Sequence, residues 1–132
     1  MSVETRDILL KAAEDVTQGM WCKGTWFDVA DFIDISMNPD HVLFDGRLTV
    51  EVAQKHERCA EGSVALATAL LGGGSEDYDR AVEAVQRRVG ACPEIHGEHY
   101  LRTHNDICLE GFDPFEAGQQ LAELFRSTAE SL

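Results

Sequence analysis

The chain has 132 residues, with 24 acidic against 11 basic side chains and a formal charge of −13. So acidic a surface repels phosphate backbones, which excludes direct nucleic-acid binding; occupying another protein's basic DNA-binding site, as a mimic of DNA, is a separate reading. The length fits one domain over residues 1–132. No apolar run approaches the ~20 residues of a bilayer span, so no membrane contact is expected. Met1–Thr5 lacks a basic region and no apolar segment of a signal peptide follows. The expected setting is the cytoplasm, where Cys22, Cys59, Cys92 and Cys108 remain thiols.

Ser2 to Gln18 reads as a first helix. Thr5, Ile8, Leu9, Ala12, Ala13 and Val16 share one face at i, i+3, i+4 spacing, and Gly19 is the stop. From Met20 to Ile35 bulky residues alternate with Asp28, Asp31 and Asp34. Packing on the helical core is the favoured reading for this segment, with Trp21 and Trp26 pinning it through their indole N–H groups. An exposed interaction surface of Trp26, Phe27, Phe32 and the later Phe44 is the other.

Asn38-Pro39-Asp40 signals a turn, and His41 to Val50 reads as a β-hairpin. Its alternating residues flank Asp45-Gly46, a dipeptide suited to a two-residue type I′ turn. Glu51 to Arg58 leads helically into the most informative stretch, Arg58–Gly90. From Gly62 to Gly74 no residue is charged, and Val64, Ala65, Leu66, Ala67, Ala69, Leu70 and Leu71 cover the whole circumference of a helix. A helix apolar all round belongs in a core. Gly72-Gly73-Gly74 ends it, and Ser75 is the expected N-cap of a second, antiparallel helix. Tyr78, Ala81, Val82, Ala84, Val85 and Val89 form that helix's inner stripe, while Glu83 and Arg87 pair on its wet face. After a loop, Glu98–Leu109 reads as a short helix. The last helix begins at Asp113-Pro114, with Glu116 placed for a capping box, and runs to about Glu130. Its inner stripe is Ala117, Gly118, Leu121, Leu124, Phe125 and Thr128. The fold class is mainly α: a small bundle of about four helices with one short β-hairpin.

Two constellations carry the residue types of chemistry. Cys92, His96, His99, His104 and Cys108 offer thiolates and imidazoles, the ligands zinc prefers. Their spacing matches no named zinc motif, and solvated surface is the competing reading. A structural zinc is favoured over a catalytic one. Cys22 or Cys59 paired with His99 or His104, and oriented by Asn105 or Asp106, would make a thiol nucleophile. Cys59 leads into an apolar helix, so core packing is the stronger reading for it. Asn105-Asp106 also suits hydrogen bonds that fix a turn. The triple glycine is no phosphate loop, because no Lys-Ser/Thr follows it and no strand precedes it.

Taken in order, Gly19-Met20-Trp21-Cys22-Lys23-Gly24, Asp45-Gly46-Arg47, Cys59-Ala60-Glu61-Gly62-Ser63 and His104-Asn105-Asp106 resemble a pattern. It is that of a family of small uncharacterised domains from actinobacteria and their phages. The chain departs from it in Met20 between Gly19 and Trp21, in His104 where the family often has Trp, and in a longer aromatic segment between Trp26 and Val42. The resemblance implies a fold without an established activity. It also implies an actinophage or actinobacterial accessory protein. The leading expectation is therefore a non-enzymatic module binding a host protein, or a second copy of itself as a homodimer. The alternatives are a zinc- or thiol-dependent enzyme using Cys92–Cys108, and a DNA-mimic inhibitor.

Overall fold

The apolar face read in the first seventeen residues becomes a helix with one dry side. A computed structural model of the chain describes residues 3–18, 43–44, 49–55, 59–89 and 111–132. Among these, five helices follow in order: α1 (Thr5–Val16), α2 (Val50–Gln54), α3 (Ala60–Leu70), α4 (Ser75–Val89) and α5 (Pro114–Glu130). The fold is mainly α, as expected.

Helix α1 buries Ile8, Leu9, Ala12, Ala13 and Val16, the five apolar residues of its stripe. It packs most extensively against α5 and also against α3 and α4. The pairing of first and last helices thus anchors the bundle more than the α3–α4 hairpin does. The reason lies in side-chain size. Ala12, Ala13, Ala117, Gly118 and Ala122 are all buried, and residues this small let two helix backbones approach closely. Phe125 is the largest fully buried side chain among the described residues.

Helix α3 is buried all round from Ala60 to Thr68, including Glu61 and Ser63. Burial then stops: Leu70 is 42 % exposed and Leu71 39 %, so these two leave the core that their apolar character suggested. Gly72 adopts φ +84°, and its N–H bonds the Ala69 carbonyl at 3.0 Å while that of Gly73 bonds Thr68 at 2.9 Å. These two bonds make a Schellman ending.

The start of α4 differs from expectation. The Tyr78 N–H already reaches the Gly74 carbonyl at 3.1 Å, so Gly74 is the N-cap and Ser75 the first helical residue. The cap is made in reverse, with the Asp77 carboxylate accepting the Gly74 N–H at 3.0 Å. Helix α5 begins as read: the Asp113 carboxylate accepts from the Glu116 N–H at 2.8 Å, and Pro114 opens the first turn.

The expected β-hairpin is corrected where the structure describes it. Leu43 and Phe44 form a turn, and Val50 opens α2 rather than closing a strand. The Thr49 hydroxyl accepts the Val52 N–H at 3.2 Å, and this cap converts an alternating pattern into a helix start. No strand occurs among the described residues. Asp45-Gly46, the segment Met20–Ile35, the stop at Gly90 and the helix expected over Glu98–Leu109 lie outside them.

Candidate functional site

The start of α3 carries the most unusual chemistry among the described residues. Cys59, Ala60, Glu61, Gly62 and Ser63 are all buried. Glu61 is 5 % exposed and accepts a hydrogen bond from the Tyr78 hydroxyl at 3.3 Å, across the α3–α4 contact. A carboxyl group is buried only where such partners replace water. Tyr78 in turn meets Phe44, with ring centroids 5.8 Å apart and planes tilted by 45°. The aromatic turn, α4 and α3 therefore converge on one polar pair inside an apolar shell.

This geometry decides how several expected site residues read. Cys59 is 3 % exposed, in keeping with the core-packing reading of its thiol. Gly62 is a small buried residue of α3. Phe44 is half-buried on the core beside Tyr78. The remaining residues lie outside the described ones: Trp21, Cys22, Gly24, Trp26, Phe27, Phe32, Cys92, His96, His99, His104, Asn105, Asp106 and Cys108. Among the described residues no three His, Cys, Asp or Glu side chains gather as a metal site would require. Nor is any helix there long and apolar enough to cross a membrane.

Three features escaped sequence reasoning. Glu61 reads as a solvated first-turn acid, and only its place at the head of a charge-free run hinted at burial. Asp77 is also buried, and its carboxylate holds the Gly74 N–H, the Val3 backbone and the Arg80 guanidinium. The hydrogen bond from Gly74 is the main cause of a carboxyl pKa below the ordinary 3.8; burial opposes it, and the Val3 backbone and Arg80 add to it. The third feature is at the surface. Phe112 and Phe115, on either side of Asp113-Pro114, are 39 % and 62 % exposed.

No curated protein and no solved structure matches the chain. A family model matches residues 1–110, a span that takes in α1 to α4 and stops before Phe112, Phe115 and α5. The close pairing of α1 with α5 thus joins a helix inside the matched span to one beyond it. By that match over most of its length, the chain belongs to DUF6197, a family of unknown function.

Proposed function

We propose that the chain is a non-enzymatic protein-interaction module, an accessory factor of an actinobacterium or its phage that binds a host protein in the cytoplasm. The exposure of Phe115, at 62 %, is the observation that carries this reading. Phenylalanine is enriched at protein interfaces. Phe112, three positions earlier, adds a second exposed ring to the same helix start. Phe44 is less suited as a probe, because its ring contacts buried Tyr78 and its loss would disturb the core.

The charge pattern of the described helices favours this reading over DNA mimicry. Arg6 and Lys11 interrupt the acids of α1, and Arg126 stands between Glu123 and Glu130 of α5. A phosphate-like row needs carboxylates in unbroken succession.

The test compares the wild-type chain with Phe112→Ser/Phe115→Ser as bait in an actinobacterial lysate. Both side chains are exposed, so the melting temperature should hold. The expected result is a host protein retained by the wild type and lost from the variant. Equal retention by both baits, or none by either, overturns the reading.

A further inference from the structure

Phe112 and Phe115 leave their rings in water at the start of α5, and the charge around them is of one sign. Asp113 and Glu116 are both exposed, and neither pairs with a cation among the described residues. One role of these acids is local: Asp113 accepts the Glu116 N–H through Oδ1 and so caps the helix. The helix end supplies only about +0.5 of a charge, however, so two carboxylates more than cancel it. The first cation along α5 is Arg126, eleven positions beyond Phe115. At ~1.5 Å per residue that is about 16 Å, roughly twice the screening length in physiological salt. The last turn of α1, which meets α5 at Gly118, has no basic residue either.

This combination selects an occupant. A wholly apolar surface would cover the rings but strip water from the carboxylates without replacing it. A second copy would bring the same acids to the contact, and like charges set opposite each other repel. An anionic membrane surface fails for the same reason. A partner segment whose apolar face is edged by lysine or arginine satisfies the rings and the acids together. We propose that Phe112 and Phe115 dock on such a segment, in its simplest form a basic amphipathic helix, with the rings on its apolar face and Asp113 and Glu116 against its edging cations. This rests on the interaction reading above and names the class of its partner.

The test is amide NMR of the full chain titrated with a model amphipathic helix of leucine and lysine. A leucine/glutamate helix and a lysine/glutamine helix are the controls. Saturable shifts centred on residues 111–120 are expected with the leucine/lysine helix alone. Phe112→Ser/Phe115→Ser should abolish them. Glu116→Lys, a change at an exposed position, should weaken binding about fivefold while the rest of the amide spectrum holds. No binding of the leucine/lysine helix, equal binding of either control, shifts scattered over the acidic surface, or indifference to Glu116→Lys overturns the proposal. Shifts at the same amides that grow with protein concentration alone would assign the surface to a second copy and overturn it too. Phe115-dependent capture of a host protein would survive each of these failures. A lysate without such a protein would instead remove the host-binding reading and leave the peptide result standing, so the two failures are told apart.

Discussion

Gly118 of α5 faces the end of α1 so closely that a Cβ built on it would lie 1.9 Å from the carbonyl oxygen of Val16. Two competing effects meet at this position. Replacing a mid-helix glycine by alanine ordinarily favours the helix by ~0.8–1 kcal/mol. Here the new methyl would strike backbone, which cannot swing aside as a side chain can. Overpacking of this kind costs ~1–3 kcal/mol and sometimes more, so the clash wins. Gly118→Ala should lower the stability of the whole bundle, since α1 also packs on α3 and α4. Urea denaturation of the variant checks this, and a more stable Gly118→Ala chain would show that α1 and α5 do not meet as described.

Asp77 ties the start of α4 to the chain before α1, through the Gly74 N–H and Arg80 on one side and the Val3 backbone on the other. Its folded-state pKa is lowered below 3.8, mainly by the Gly74 hydrogen bond. A depressed carboxyl pKa gives stability that is fully present above the unfolded value and lost as pH falls through the folded one. Asp77→Asn should therefore lower the melting temperature at neutral pH. The gap from wild type should shrink as pH drops below about 3.8. Melting curves across that range measure it, and a constant gap would separate the Asp77 charge from its structural role.

How much of this was legible depended on whether the decisive contact was local. The stripe of α1, the Gly72 turn and the Asp113-Pro114 cap are each set by neighbours within a few residues, and all three read directly from sequence. Val50 did not, because its alternating neighbours suit a strand until the Thr49 hydroxyl caps a helix. Glu61 was illegible for another reason: its partner Tyr78 lies on the next helix, and a carboxylate in a first turn ordinarily faces water. Gly118 is a weak helix residue until Val16 is placed opposite it. At the candidate surface, phenylalanine more often reads as core, so the exposure of Phe115 had no sequence signal. The expected Cys/His cluster and the Trp26–Phe32 segment fall outside the described residues.

The Tyr78–Glu61 hydrogen bond gives a further expectation. Tyr78 is 2 % exposed and Glu61 5 %, so water does not readily replace the bond between them. Tyr78→Phe keeps the ring and its contact with Phe44 but deletes the donor. Losing a hydrogen bond to a buried polar group costs roughly 1–3 kcal/mol. Tyr78→Phe should therefore destabilise the chain within that range, and Glu61→Leu should cost less in a Tyr78→Phe background than alone. Denaturation of the two single variants and the double variant gives the coupling. Strict additivity would show that the two side chains do not share a bond.

The interaction reading also makes a statement about metal. It requires no zinc at Cys92, His96, His99, His104 and Cys108, although thiolate and imidazole are the ligands zinc prefers. Native mass spectrometry of the purified chain, with and without a strong chelator, reads bound metal and subunit count together. A 14.6 kDa protomer mass unchanged by the chelator is expected. Circular dichroism in the same buffers should show the helical signal intact, since the described core is held by α1, α3, α4 and α5. A zinc-sized mass that disappears on chelation, together with lost helicity, would make the metal part of the fold, because a structural zinc contributes its binding energy directly to folding. That outcome would move the search for function from Phe112 and Phe115 to the Cys92–Cys108 segment. A stable doublet of the protomer mass would instead name a second copy of the chain as a partner, with Phe115→Ser as the variant to dissociate it.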